Sequence, residues 1–288
     1  MTRRRLGQFL GGFRLLLRRV DLPTLAAAIA YHTFLALVPL ALALLGAAAL
    51  IGESARALDR VRTTLETIAP ATVAEFVLGL LVEAESRLGG QEGWVIALSV
   101  VLALVLGSRA TLSLQRALAA VEGHHEARRG VPARLIAVGL TVGGGFVLLL
   151  ASLLLVAGGH LVEFIVGLTG AGWLGAALNW LRIPVTGTGL YFLLLACYRW
   201  GPSRPLPRPW LAALVGTTGA LLSSLGFGLY LSLAPALGAT FGILGAVAVA
   251  LVWLYSGALA ILLGAAVVSY SVGRRAEPES GDSAPGAE

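Results

Sequence analysis

Long runs of apolar residues with few or no charges make up most of this chain. A helix that crosses a bilayer needs about 20 such residues, and the runs predict six helices. We place them at residues 24–51, 93–115, 135–158, 178–199, 210–233 and 243–270. Residues 209–273 carry no charge and are too long for one span, so we divide them near Pro235, where proline and glycine predict a turn. The runs do not alternate polar and apolar residues, as strands of a membrane barrel would.

Three further segments flank or join these spans. Residues 1–21 repeat apolar positions at three- and four-residue steps, with arginines mostly on the other face, which is typical of a basic helix in the membrane interface. A helix that binds a protein partner would show the same pattern. Residues 53–92 predict two amphipathic helices separated at Pro70, which either cover the ends of the spans or take part in gating. Residues 274–288 are rich in proline, glycine, serine and acidic residues, which predicts a disordered tail.

The composition excludes an ordinary soluble protein. Charged residues make up 12% of the chain and hydrophobic residues 57%, whereas soluble domains are about 25% charged. The first apolar run is too long for a secretory signal and has no small-residue cleavage site, so we expect it to remain in the protein. The sequence therefore predicts an all-α polytopic membrane protein with six transmembrane helices and amphipathic interfacial helices.

All 21 basic residues are arginines, and their distribution predicts the orientation of the chain. Most of them lie before the first span, between spans two and three, between spans four and five, or after span six. Because positively charged loops stay on the inner side of a membrane, we expect both termini in the cytoplasm. Anionic lipid headgroups explain the net charge of +6 better than nucleic acid does. We therefore expect membrane lipids, and no nucleic acid, as partners, while a homo-oligomer is left open.

Few residues have the pattern of an enzyme or metal site. Cys197 is the only cysteine, and the adjacent His124 and His125 match neither the HExxH helix nor a zinc-ribbon spacing. The chain has no phosphate-binding loop or nucleophile elbow. Its spans lack aspartate and glutamate, which argues against carboxylate-based proton coupling. We expect no enzymatic activity, no metal and no cofactor.

Polar groups inside an apolar run normally face the bundle interior or a water-filled cavity. For His32, early in the first run, both a hydrogen-bonded packing role and a cavity-lining role fit the pattern. Pro39 predicts a bend in the first helix, because its ring removes a backbone donor. Arg109 interrupts the inner end of the second span. The candidates for a substrate path are Tyr31, His32, Thr33, Pro39, Arg109, Asn179 and Arg182.

Four stretches resemble the YihY/BrkB family of bacterial inner-membrane proteins: "LAAAIAYHTFLALVPLALALL", "GSRATLSLQRALAAVEG", "CYRWGP" and "ATFGILGAVAVALVWLYSGALAILLGA". The likeness extends over residues 25–264. Small residues at three- and four-residue steps let membrane helices approach closely, and they can also act as hinges. In and beside the last stretch we expect helix packing by Gly242, Gly245, Gly264, Trp253 and Tyr255.

The resemblance implies a six-helix plasma-membrane protein whose activity is unsettled across the family. Members have been labelled ribonuclease BN and linked to serum resistance and envelope biology. Two positions depart from the family pattern. A glutamate that is usual near the end of the last helix is Ala266 here, so any role of that glutamate is absent, and the second residue of a usual tyrosine pair is His32.

Two classes of function fit these features. The first is a transporter or flippase-like protein that moves a lipid or an amphipathic envelope component. The second is a scaffold that assembles other envelope proteins without transporting anything. A lateral groove that holds lipid would favour the first, and a uniformly packed interior would favour the second. A metal-dependent nuclease needs clustered carboxylates or histidines to hold its ions, and the chain shows no such pattern.

Overall fold

The structure is a computed structural model of the chain. It describes residues 20–50, 59, 62, 70–88, 93–123, 130–146, 173–202, 206–233 and 236–276. Within these ranges the description is limited to the backbone at residues 41, 44–50, 84–88, 93, 95–96, 173–186, 236–243 and 272–276. The predicted interfacial helix over residues 1–21 and the histidine pair at 124–125 lie almost wholly outside the described residues, as does most of the predicted tail.

The described part of the chain is all helical, and it contains seven helices. These are α1 (Leu22–Leu50), α2 (Ala71–Leu88), α3 (Gly93–Val121), α4 (Val131–Phe146), α5 (Trp173–Trp200), α6 (Pro209–Leu233) and α7 (Ala236–Ala276). Stretches long and apolar enough to cross a membrane occur in four of them, at Leu22–Leu40, Ala97–Val121, Pro209–Leu233 and Leu244–Ser271. The helix α4 is apolar but shorter over its described extent. The structure thus shows a multi-helix membrane bundle, and the expected count of six spans is not confirmed.

The first helix begins at a capping aspartate and continues through its proline. The Thr24 amide donates to Asp21 Oδ1 over 3.4 Å, which satisfies one of the donors left free at a helix start. Further along, α1 runs through Pro39 to Leu50 without interruption. Because proline has no amide hydrogen, the carbonyl of Leu35 loses its usual helical partner.

The best-packed region lies at one end of the bundle, which we call the packed end. Here the start of α1, the end of α3, the end of α5, the start of α6 and the second half of α7 bury a shared apolar cluster. Its largest fully buried side chains are Leu22, Leu118, Tyr198, Leu206, Leu262 and Val268. Since these helix ends meet, α1 and α6 run opposite to α3, α5 and α7. Such an alternation is what successive membrane crossings require.

Close backbone contact joins α6 to α7 within this cluster. A Cβ added to Gly264 would lie 2.7 Å from the Gly216 amide nitrogen and 2.8 Å from its Cα. Nearby, Tyr198 donates its hydroxyl hydrogen to the Ile261 carbonyl over 2.9 Å, which ties α5 to α7. Helices in lipid associate by such packing and by interhelical hydrogen bonds, because lipid tails provide no hydrophobic drive between helices.

The helix α2 packs across α1 and α7 and starts directly after Pro70, where the sequence predicts a break. The Pro70 carbonyl accepts from the amides of Val73 and Ala74 over 2.9 and 3.0 Å. Val73 is buried beside Val249 and Ala250 of α7. The rings of Phe34 in α1 and Phe76 in α2 stack at a centroid distance of 6.3 Å. An amphipathic helix therefore covers a seam between two apolar helices.

Candidate functional site

A cavity of about 880 Å³ lies between α1, α3 and the start of α4. It adjoins the packed end, since its α3 wall runs directly into the buried Ala117 and Leu118. The described residues that line it are His32, Arg109, Leu112, Ser113, Gln115, Arg116, Gly130, Val131, Ala133 and Arg134. The volume falls within the usual range for small-molecule sites. We call this space the arginine cavity.

Three arginines give the cavity its charge. Arg109 and Arg116 stand seven residues apart on α3, with Ser113 between them, so the three form one stripe on one face of the helix. Arg134 comes from the first turn of α4. All three arginines are exposed. Among the described lining residues none is acidic, and the described part of the chain offers these three guanidinium groups no ion pair. The arginine cavity is therefore strongly cationic.

His32 joins the wall of α1 to the wall of α3. Its Nδ1 lies 2.7 Å from the Ala28 carbonyl oxygen and 3.3 Å from Ser113 Oγ. A carbonyl oxygen only accepts hydrogen bonds, so Nδ1 carries the hydrogen, which it donates to the Ala28 carbonyl and shares more weakly with Ser113 Oγ as a second acceptor. Ser113 in turn donates its own hydroxyl hydrogen to the Arg109 carbonyl over 3.0 Å. The ring of His32 is thus both hydrogen-bonded and cavity-lining, and its Nε2 has no recorded partner among the described residues.

Gln115 contributes an unpaired buried donor to the same wall. Its residue is only 6% exposed, and its amide nitrogen is buried with no hydrogen-bond partner among the described residues. Leaving such a group unsatisfied costs about 1–3 kcal/mol. Native structures tolerate few of these groups, and they commonly mark a functional position or a ligand. Because this nitrogen is closed off from the cavity, Gln115 contributes to the wall without donating into the space.

A polar contact fixes α4 against α3 next to the cavity. Thr111 Oγ1 and Thr141 Oγ1 lie 2.9 Å apart, and each hydroxyl also lies within hydrogen-bond distance of a carbonyl of its own helix. The helices approach closely here, and Gly107 allows this because it has no Cβ. A Cβ added at that position would lie 2.8 Å from Thr141 Cγ2. The start of α4, with Gly130 at φ 79°, is thereby held over the arginines of α3.

The other substrate-path candidates have different surroundings. Tyr31 is 55% exposed, and although it makes an edge contact with the His32 ring, it does not line the cavity. Thr33 donates to the Ile29 carbonyl within its own helix over 2.8 Å. Pro39 is half-buried further along α1. Asn179 and Arg182 belong to α5, but their side chains lie outside the described residues. Of the seven candidates, the structure brings His32 and Arg109 together.

The helix-packing candidates are spread along α7. Gly264 lies at the contact with α6. Trp253 donates its indole hydrogen to Ser224 Oγ of α6 over 3.1 Å, and Tyr255 packs against the buried cluster of the packed end. Gly245 is buried in a shallow apolar groove beside α6, whereas the surroundings of Gly242 lie outside the described residues.

Sequence reasoning missed the four other lining residues with polar side chains: Ser113, Gln115, Arg116 and Arg134. The stripe of Arg109, Ser113 and Arg116 was available as a signal, because positions four and seven residues apart share a helix face. The contribution of Arg134 depends on how α4 returns along α3, which no local pattern specifies.

Removing the link between His32 and Ser113 is expected to have a small effect on stability. In a double-mutant cycle of His32→Ala and Ser113→Ala, the coupling free energy should be about 0.6 kcal/mol, the average for interhelical hydrogen bonds in membranes. Reversible unfolding in mixed micelles would measure it. Thr33→Ala with Ser113→Ala provides the control, since Thr33 bonds only within α1. A coupling above about 2 kcal/mol would show that the pair is a main structural tie between α1 and α3.

The helices are apolar and long, and they run in alternating directions through the bundle. These features define a multi-pass α-helical membrane protein. The chain belongs to the Virulence factor BrkB family, whose model matches residues 16–287. No group of three or more histidine, cysteine or acidic residues placed to hold a metal occurs in the described part of the chain.

Three relatives extend the comparison. Putative ribonuclease-like protein YfkH of Bacillus subtilis is 26% identical over 83% of this chain and 86% of its own length. UPF0761 membrane proteins of Delftia acidovorans and Methylibium petroleiphilum are 26% and 28% identical over 85% of this chain. The chain matches only 57% and 58% of the length of these two proteins. No solved structure matches the chain significantly.

Proposed function

We propose that this protein transports a lipid or another amphipathic envelope component across the plasma membrane, in the manner of a flippase. The observation that carries the proposal is the arginine cavity, a space of about 880 Å³ set among apolar helices and lined by charged, polar and apolar groups. A uniformly packed scaffold has no need of such a space. The proposal includes no catalytic reaction, and the ribonuclease-like name belongs to the Bacillus subtilis relative.

The cavity suits an amphipathic molecule because its walls differ in polarity. Arg109, Arg116 and His32 provide a polar wall, whereas Leu112 and Val131 provide apolar surface beside it. A ligand with a polar head and an apolar tail can satisfy both walls at once. Small-molecule sites commonly combine apolar walls with a few placed polar groups in this way.

The proposal places the packed end on the cytoplasmic side. Four arginines lie near that end. Arg116 and Arg199 belong to the ends of α3 and α5, and Arg134 and Arg208 lie at the starts of α4 and α6. Arginine-rich segments stay on the inner side of the membrane. The arginine cavity would then open where anionic headgroups of the inner leaflet are available.

Narrowing the mouth of the cavity is expected to slow transport. Val131 is 69% exposed and lines the cavity, so Val131→Trp adds bulk there without disturbing the core. Val142→Trp on the same helix is the matched control, because Val142 is 51% exposed and does not line the cavity. The measurement is the rate at which labelled phospholipids cross proteoliposome membranes. We expect a fall of about tenfold for Val131→Trp, which corresponds to a barrier of about 1.4 kcal/mol, and an unchanged rate for the control.

Two results would contradict this proposal. The first is a wild-type rate no faster than that of empty liposomes for phospholipids of every headgroup class tested. The second is an equal fall for both tryptophan variants, which would indicate general damage to α4. Either result would move the assignment toward the scaffold.

A further inference from the structure

We infer that the arginine cavity binds an anionic phosphate group that carries no cationic substituent, as the headgroup of an amphipathic ligand. This inference rests on the proposed function for the identity of the ligand as a transported amphiphile. The binding itself needs no transport and can be measured separately. Three observations support it: the arginine stripe on α3, Arg134, and the start of α4.

The arginines fit an anion of more than one charge. The three guanidinium groups have no ion pair within the described part of the chain, and no described lining residue is acidic. Arginine presents a planar fork of donors that pairs with phosphate oxygens in bidentate fashion. Positions seven residues apart on a helix are separated by about 10 Å along its axis. The long side chains of Arg109 and Arg116 can therefore reach a phosphate group held between them.

The Gln115 side chain forms part of the cavity wall, but its amide nitrogen is closed off from the cavity space. Its nitrogen carries two donor hydrogens and has no partner among the described residues, although the residue is more than nine-tenths buried in the cavity wall. A phosphate has enough acceptor oxygens to take hydrogen bonds from two guanidinium groups together. A zwitterionic headgroup would bring a cation into the same cationic space, where it would be repelled.

The start of α4 adds a further preference for anions. Gly130 precedes the helix and has no side chain to cap it, so the amide hydrogens of Val131 and Ala133 remain without an intrahelical partner, whereas Pro132 has no amide hydrogen. Gly130, Val131 and Ala133 all line the cavity. Helix starts of this kind favour phosphate and similar anions. The start of α4 alone would not define a site, but here it faces the arginines of α3.

The test is direct binding by the full-length protein in zwitterionic nanodiscs. Native mass spectrometry or thermophoresis would compare short-chain phosphatidic acid, short-chain phosphatidylcholine of equal length, and inorganic phosphate. We expect phosphatidic acid to bind about tenfold more tightly than phosphatidylcholine, as charge-assisted hydrogen bonds to phosphate predict, and high salt to weaken this binding.

Variants of the lining arginines distinguish binding inside the cavity from nonspecific attraction of the lipid to positive charge. Arg109→Gln, Arg116→Gln and Arg134→Gln should each weaken phosphatidic acid binding by about tenfold to a hundredfold, the loss expected for a hydrogen bond to a charged group. The corresponding lysine variants should lose less, because lysine keeps the charge but not the fork. Arg199→Gln is the control, since Arg199 is exposed on α5 and does not line the cavity. Its affinity should stay at the wild-type value.

Each outcome has a distinct meaning. Competition by inorganic phosphate at low millimolar concentration would show that the phosphate group alone is recognised, and its failure to compete would show that the lipid-borne group is the ligand. Equal binding of the two lipids, or wild-type affinity in all three glutamine variants, would overturn the inference. Arginine-dependent binding without any lipid movement would overturn the proposed function and leave the phosphate site standing.

Discussion

Tyr198→Ala is expected to destabilise the protein by about 3–5 kcal/mol, the usual cost of truncating a large buried aromatic side chain. Tyr198 is fully buried at the centre of the packed end and donates to the Ile261 carbonyl over 2.9 Å. Its removal would leave a cavity among α5, α6 and α7 and delete an interhelical hydrogen bond. Thermal or denaturant unfolding of the purified protein in detergent would measure the change.

Two further variants of the same helix serve as controls for this prediction. Tyr198→Phe removes only the hydroxyl group and should cost about 0.5–1.5 kcal/mol. Phe192→Ala truncates an aromatic residue of α5 that is 55% exposed, and its effect on stability should be small. Equal losses for Tyr198→Ala and Phe192→Ala would show that the packed end is not the stabilising core of the bundle.

Gly264→Ala is expected to destabilise the protein by about 1–3 kcal/mol, because overpacking a tight contact forces the backbone to move. The added methyl group would lie 2.7 Å from the Gly216 amide nitrogen, and a backbone atom cannot rotate away as a side chain can. The helices α6 and α7 would have to separate. The unfolding midpoint in detergent, compared with the wild type, measures the effect.

The control for this prediction lies on the same helix. A Cβ on Gly257 of α7 would meet nothing within 4 Å. Gly257→Ala should therefore leave stability unchanged or raise it by up to about 1 kcal/mol, since alanine favours helix over glycine. If Gly264→Ala were as stable as Gly257→Ala, the close crossing of α6 and α7 would not contribute to the stability of the fold.

The class of fold could be predicted because its signals are local. The uncharged runs are long enough to cross a bilayer. In lipid a single segment can satisfy all its backbone hydrogen-bonding groups only as a helix. The helix start after Pro70 is a similar case, since the helix α2 begins at Ala71.

The candidate site was predicted only in part, for a geometric reason. His32 and Arg109 were recognised because a polar group within an apolar run stands out by itself. Gln115 and Arg134 did not stand out, because each lies near a helix end or loop where polar residues are ordinary. Their meeting depends on how α4 packs along α3, through the contacts of Gly107 and Thr111 with Thr141.

By itself the sequence determined that this protein is a helical membrane protein with an asymmetric distribution of arginines. Hydrophobic length and charge position act residue by residue, so they can be evaluated without knowing which helices touch. Only the tertiary structure decided that Arg109, Arg116 and Arg134 line one cavity with His32, and that Gly264 meets Gly216. These contacts join residues far apart in the chain, and their pairing is set by how the helix surfaces fit together.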